Sequence, residues 1–282
     1  MGAPVGLIAG HGRFPLELAA AARRRGHRLV AVGLEGLSDP ALAGAVDVFE
    51  RLAVGQVERL LEVLRREGVR EVVLAGKVPK RLLFGAGGQI VPDARALALL
   101  RGLRDRRDDS ILGAVAALLE AEGFALLRQA ALAPDLLAPR GPLGAVPPTP
   151  AQEDEVAFAW PIAKALGALD VGQTVVVEAR AVLALEAIEG TDEAIRRGCA
   201  LGRGRACVVK VAKPSQDPRF DVPAIGLDTL RVLRESGGAV LAVEAGATLV
   251  LEREALVAEA DAAGIALLGV DETSLASRSR VP

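Results

Sequence analysis

Residues 1–133 alternate short apolar runs with amphipathic helical stretches, and this rhythm restricts the fold more than any other feature of the chain. VGLIA (5–9), RLVAVGL (28–34) and EVVLAG (71–76) read as buried strands, separated by helical periodicity over 14–25 and 56–67. Alternation of this kind builds a largely parallel sheet covered on both faces. A helical stretch over 94–122, broken near the charged run 104–109, and the strand FALL complete this first domain, 1–133. Residues 134–150 then read as a linker, since PRGPLGAVPPTP holds five prolines and two glycines. The second domain, 151–282, opens with a helix over 153–166. TVVVE and AVLALEAIEG follow as an antiparallel hairpin joined by Ala179 and Arg180. Helices over 191–200, 225–236 and 253–263 alternate with ACVVKVA, AVLAVE, TLVL and IALLGV, which makes this half α/β with a mixed sheet.

Composition removes several classes of function. Hydrophobic residues make up 51% of the 282, but aromatics only 2%, so the cores must be built from Ala, Val and Leu. Trp160 and the phenylalanines read as core. A net charge of -2 offers no basic field, so no nucleic-acid partner is expected. No charged leader precedes an apolar run and no stretch of about 18 apolar residues occurs, so neither secretion nor a membrane span is expected. Cys199 and Cys207 are too few for a disulfide framework, and a reduced, cytoplasmic setting is the default expectation. With only His11 and His27, a histidine-built zinc site or a Ser-His-Asp centre is disfavoured. A metal would have to be Mg²⁺ or Mn²⁺, held by carboxylates and phosphates.

Chemistry concentrates in Val209–Pro223, where an apolar strand runs into Lys213, Gln216, Asp217, Arg219 and Asp221 among prolines 214, 218 and 223. The prolines forbid a regular helix and make a stiff loop at a strand end, a usual place for chemistry in α/β proteins. The same residue types also make a solvated turn, and composition alone leaves both readings open. GLIAGHGRFP (6–15) has the grammar of strand, glycine turn and helix, with Gly10 and Gly12 leaving backbone free to approach phosphate. Pro15 stands where the third glycine of a dinucleotide fingerprint belongs, so that motif is broken. Lys77 follows a strand and is either a phosphate contact or a solvated cation. Asp108 and Asp109 are either helix caps or a metal pair. Glu186, Glu189, Thr191 and Asp192 combine a strand end with a helix start, where Thr191 or Asp192 is most simply a cap.

Taken together, these segments resemble the LpxI-type UDP-2,3-diacylglucosamine pyrophosphatases of lipid A biosynthesis. The resemblance rests on GLIAGHGRFP, VVLAGKV (72–78), RRDDSILGAVAALLEAEGF (106–124) and LGALDVGQTVVVEARAVLALEAIEGTDEAI (166–195). It continues through VVKVAKPSQDPRFDVPAIG (208–226) and VEAGATLVLEREALVAEADAAGIALLGVD (243–271), in order along both halves. It implies a Rossmann-like, UDP-binding domain over 1–133 and a hydrolase and lipid-substrate domain over 151–282, closing on substrate. It implies Mg²⁺- or Mn²⁺-dependent hydrolysis with water attacking the uridine-side phosphorus, yielding UMP and 2,3-diacylglucosamine 1-phosphate (lipid X). The family's essential aspartate, in its Arg-Phe-Asp-x-Pro motif, falls on Asp221, as catalytic residue and metal ligand.

A pyrophosphate under attack accumulates negative charge, so cations and hydrogen-bond donors matter more than covalent chemistry. On that footing Lys213 and Asp192 join Asp221 as catalytic residues. Gly10, Gly12, Pro15, Lys77, Thr191, Gln216 and Arg219 are expected to bind substrate. Acyl chains call for an apolar chamber, and contact with the inner membrane surface would be transient; a homodimer is compatible with the resemblance. Two rival readings stand: a non-catalytic nucleotide-sugar or lipid-binding protein, and a nicotinamide-dependent oxidoreductase with Glu35 at its ribose.

Overall fold

The structure, a computed structural model, describes residues 2–78, 92–102, 108–214 and 216–276, with backbone only at 108–110. It divides into two compact units: Met1–Pro134 with Asp217–Asp221, and Asp135–Gln216 with Val222–Pro282. Among the described residues no helix is long and apolar enough to cross a membrane.

The first unit holds five strands: β1 (Val5–Ala9), β2 (Leu29–Leu34), β3 (Val48–Leu52), β4 (Glu71–Ala75) and β5 (Ala125–Leu126). Their order is β3-β2-β1-β4-β5 and every pairing is parallel. Helices Phe14–Arg24, Val57–Arg66, Ala94–Gly102 and Asp108–Ala121 supply the crossovers and cover. Val30, Val32, Leu61, Leu64, Val72, Leu119 and Phe124 form one of its packed clusters, built almost without aromatic rings. β3 escapes the sequence reading because Glu50 and Arg51 interrupt its apolar run. It is an edge strand, where one flank meets solvent and charges are tolerated.

In the second unit β6 (Gly141–Pro142), β7 (Thr174–Glu178), β8 (Ala181–Leu185) and β9 (Cys207–Lys210) precede a short β10 (Ala224–Ile225). β11 (Val240–Glu244), β12 (Leu249–Val250) and β13 (Ala266–Val270) complete it. The main sheet has the order β6-β13-β11-β9-β7-β8, and β10 pairs with β12 alone. β9, β11 and β13 run parallel, whereas β6, β7 and β8 are antiparallel to their neighbours. Successive strand residues point to opposite faces. Accordingly Val175, Val177 and Val209 pack with Trp160 and Ala163 of helix Pro150–Ala168, and Val176 and Val208 with Ile195, Leu230 and Leu256. Burial on both faces explains why these strands read as continuous apolar runs.

Of the stretch 134–150, read as a linker, all but Pro134 belongs to the second unit. Gly141 and Pro142 pair with Gly269 and Leu268 at the sheet edge. The Asp261 carboxylate accepts from the N–H groups of Ala145 and Val146 at 2.8 and 3.2 Å. Proline is admissible at a sheet edge because no inner ladder needs its missing N–H. The helix expected to start at 153 starts at Pro150, since Thr149 and Gln152 form a reciprocal cap ahead of the apolar pattern.

The expected hairpin is present, and both turn residues lie in the left-handed region, Ala179 at φ 52° and Arg180 at φ 55°. That twist suits a two-residue hairpin but costs a non-glycine residue about 1–2 kcal/mol. Ala179→Asn should therefore raise unfolding stability by about 0.5–1 kcal/mol in a denaturant titration, because Asn tolerates this conformation better.

Candidate functional site

In the first unit the carboxyl ends of β1 and β4 are locked together. Gly10 N–H donates to Ala75 O at 2.8 Å, while His11 and Lys77 exchange main-chain bonds of 2.8 and 2.9 Å. A Cβ on Gly10 would lie 2.7 Å from Lys77 O, and one on Gly76 2.8 Å from the carbonyl carbon of Gly10. Those two glycines are thus required by backbone meeting backbone. Gly12 differs: nothing among the described residues lies within 4 Å of a Cβ there, and it shares with Gly76 (φ 87°) only a positive φ, 105°. Pro15 is the second residue of helix Phe14–Arg24, whose start has no side-chain cap. The structure therefore gathers Gly10, Gly12, Pro15 and Lys77 at the point where strand order reverses, the usual ligand crevice of such sheets.

Asp217–Asp221 packs within this same unit. Phe220 lies against the cluster containing Leu119 and Phe124. The buried Gln129 donates its Nε2 to Leu74 O at 2.8 Å and Phe220 O at 3.4 Å, while its backbone N–H reaches Pro218 O at 3.0 Å. One amide thereby ties the segment to the end of β4. Asp221 N–H closes a tight turn onto Asp217 O at 3.0 Å. Asp221 is half-buried, and its carboxylate has no hydrogen-bond or ion-pair partner among the described residues. Arg219 folds back instead: its Nε bonds both Asp217 oxygens at 3.0 Å, and Nη2 approaches Oδ2 to 2.6 Å. Nη1 meets Glu120 at 2.5 Å. The Arg219 guanidinium holds the Asp217 carboxyl below its ordinary range. The geometry makes Arg219 a brace for the turn, with its charge already shared between two carboxylates. Nothing in the sequence signalled Gln129, which sits in an ordinary helical stretch.

The second unit places a different group at the end of β9. Thr174, Glu186 and Lys210 are buried polar residues there. Thr191 Oγ1 donates to Glu186 Oε1 at 2.9 Å and accepts from Lys210 Nζ at 3.2 Å, so the hydroxyl expected to meet substrate already serves an internal network. Gly190, at φ 85°, takes the cap position expected of Thr191 or Asp192. Asp192, in the first turn of helix Thr191–Leu201, is half-buried with no partner among the described residues. Lys213 Nζ bonds Asp170 at 2.7 Å, and its backbone N–H donates to Gln216 Oε1 at 3.1 Å. Gln216 Nε2 is buried without a partner among the described residues, a costly state that an incoming acceptor would relieve. The side chains of Asp108 and Asp109 lie outside the described residues. Neither cysteine fits a nucleophile: burial pushes the thiols of Cys199 and Cys207 up to about 11 and about 12.

Two family models match the chain, one described as the LpxI N-terminal domain over residues 4–136 and one as the LpxI C-terminal domain over 139–268. A curated protein of Caulobacter vibrioides named UDP-2,3-diacylglucosamine pyrophosphatase LpxI is 38% identical over 281 residues, covering 95% of this chain and 97% of its own. Among solved structures, one titled "Crystal structure of gox2253" aligns at 15% identity over 98% of this chain and 88% of its own, with a TM-score of 0.25. A likeness of that size carries no argument.

Two outcomes test this geometry. Gly10→Ala should destabilise the chain by about 2–4 kcal/mol in a denaturant melt, because neither backbone segment can yield. Asp217 has a depressed folded value, so its pairing with Arg219 contributes stability above the ordinary carboxylate range and loses it as pH falls through the folded value. The stability gap between the native chain and Arg219→Ala should accordingly stay level near neutrality and narrow as the pH falls below the ordinary carboxylate range, about 4.

Proposed function

Because the chain belongs to the LpxI family through both of its domains, we propose that it hydrolyses the pyrophosphate of UDP-2,3-diacylglucosamine. Identity of 38% along nearly the whole length of a curated pyrophosphatase carries this reading, and the Arg219-Phe220-Asp221-Val222-Pro223 motif agrees with it. Water attacks the uridine-side phosphorus and the products are UMP and 2,3-diacylglucosamine 1-phosphate. Contact with the membrane surface, a cytoplasmic location and a homodimer belong to the same proposal.

The residues present fit a divalent cation in a limited way. Among the described residues no group of three or more His, Cys, Asp and Glu side chains is placed to hold a metal. Asp221, however, offers a half-buried carboxylate without a protein partner, and Mg²⁺ commonly takes one or two carboxylates together with substrate phosphates and water. Mg²⁺ or Mn²⁺ bound there would supply charge neutralisation to the phosphates. Asp221 orients the attacking water, Lys213 neutralises a phosphate oxygen, and Gln216 donates its unpartnered amide to another. Asp192 is the second carboxylate, positioned by a helix start rather than used as its cap. The Gly10–Gly12 turn, Pro15 and Lys77 form the uridine diphosphate end. Thr191 and Arg219 act one step back, through Lys210 and through the Asp217–Asp221 turn.

Product analysis by mass spectrometry with ¹⁸O-labelled water, Mg²⁺ or Mn²⁺ and an EDTA control tests the reading. Label should appear in UMP, and EDTA should stop the reaction; absence of cleavage with either metal would remove the enzymatic reading in favour of a binding protein. Asp221→Ala should keep the fold by circular dichroism while kcat falls at least about 100-fold, the scale of losing a transition-state contact. Gln216→Leu, which removes the buried amide donor and also the acceptor of the Lys213 N–H, should cost about 10-fold in kcat/KM and about 1 kcal/mol of stability.

A further inference from the structure

The loop that follows β9 leaves the main sheet at Val211 and ends at Ala224, where β10 of the separate β10-β12 pair begins. Prolines 214, 218 and 223 limit the main-chain donors with which such a loop could hold itself together. Each end is instead fastened by a lysine ammonium to a main-chain carbonyl.

At the entry, Ala212 N–H donates to Glu244 Oε2 at 2.8 Å and Ala212 O accepts from Lys164 Nζ at 3.1 Å. Lys164 and Glu244 meet at 3.0 and 3.1 Å, so one ion pair receives both polar groups of a single residue. At the exit, Lys210 Nζ donates to Ala224 O at 3.0 Å and to Thr191 Oγ1 at 3.2 Å. Lys210 is 6% exposed. Lysine is rarely buried to that degree, and desolvating an ammonium is costly unless a defined geometry recovers it. A leucine would serve the sheet core better, so the retained charge points to the bonds it makes.

We propose that Lys164 and Lys210 are positioning residues for the hydrolysis, which hold the two ends of the 211–223 loop and thereby place Lys213 and Gln216. This rests on the function proposed above, because only that reading makes the loop catalytic. Neither lysine touches substrate; each acts through Ala212 or Ala224. Glu244 belongs to the same device, since it orients Lys164 and takes the Ala212 N–H. Displacement of a catalytic group by about 1 Å is enough to cost on the order of 100-fold in rate.

The test uses the full chain, with steady-state hydrolysis of UDP-2,3-diacylglucosamine in Mg²⁺ and amide hydrogen exchange followed on the same samples. Lys164→Met and Lys210→Met keep the apolar stems and remove the donors. Each should lower kcat at least about 10-fold with KM nearly unchanged, and speed exchange over 211–224 while β11 and β13 stay protected. Lys164→Arg should recover most of the rate. The paired reversal Lys164→Glu with Glu244→Lys keeps opposite charges together but sets a carboxylate against Ala212 O and an ammonium against Ala212 N–H; it should stay slow. Wild-type kcat and exchange in both Met variants would overturn the proposal, as would full recovery in the reversal, which would reduce the pair to surface electrostatics. If Lys210→Met does not fold, the Lys164 series decides alone. Failure of the unaltered chain to hydrolyse the lipid would instead overturn the proposed function, and the exchange comparison would still show whether the lysines hold the loop.

Discussion

Everything assigned to Asp221 depends on where five residues find their packing. Asp217–Asp221 has no strand ladder to join, and its order comes from Phe220 in an aliphatic cluster and from the Gln129 amide that bridges Leu74 O and Phe220 O. A buried amide with satisfied partners fixes a register far more sharply than apolar contact does, because any slip strands a polar group without water. The Arg219–Asp217 pair then stiffens the turn from its exposed side. The resulting arrangement keeps one carboxylate, that of Asp221, out of the surrounding ion pairs, and a carboxylate kept out of ion pairs is what binding a cation or orienting water requires.

The two sheets reach usable polar edges by different means. The first puts its glycines where main chains collide, so that the ends of β1 and β4 close on each other and leave Gly12 and Lys77 at the rim. The second relies on side chains: Thr174, Glu186, Thr191 and Lys210 satisfy one another beneath the end of β9. Backbone closure tolerates almost no substitution at Gly10 or Gly76. The side-chain network tolerates change but adds the penalty of an interior charge.

Much of the architecture was legible because apolar periodicity survives in fully buried strands; β1, β2, β4, β7, β9, β11 and β13 all stand out as such runs. β3 was not, since Glu50 and Arg51 on an exposed edge erase the pattern. The stretch around Gly141 was misread for a related reason: proline and glycine signal a linker, and only the tertiary position of β13 turns them into an edge strand. Of the candidate site, Asp221 stands out in the sequence only through the family motif it matches. Gln129 and Lys164 do not stand out, because a helical glutamine or lysine looks the same in sequence whether it faces solvent or a carbonyl. Thr191 shows the opposite error, a residue whose type suggested ligand contact and whose hydroxyl is occupied by Glu186 and Lys210.

Membership of Asp217–Asp221 in the first unit also bears on how the chain is made. The bond from Gln129 to Phe220 spans 91 positions, and most of the second unit's sequence up to β9 lies between them. During synthesis the amino-terminal sheet emerges first, yet the cluster around Leu119 and Phe124 lacks its final aromatic ring until the ribosome has passed residue 220. A fragment ending at Pro134 would therefore carry a completed sheet with an unfilled notch beside β4. Ordering of the Asp217–Asp221 turn is correspondingly a late event in the making of the chain.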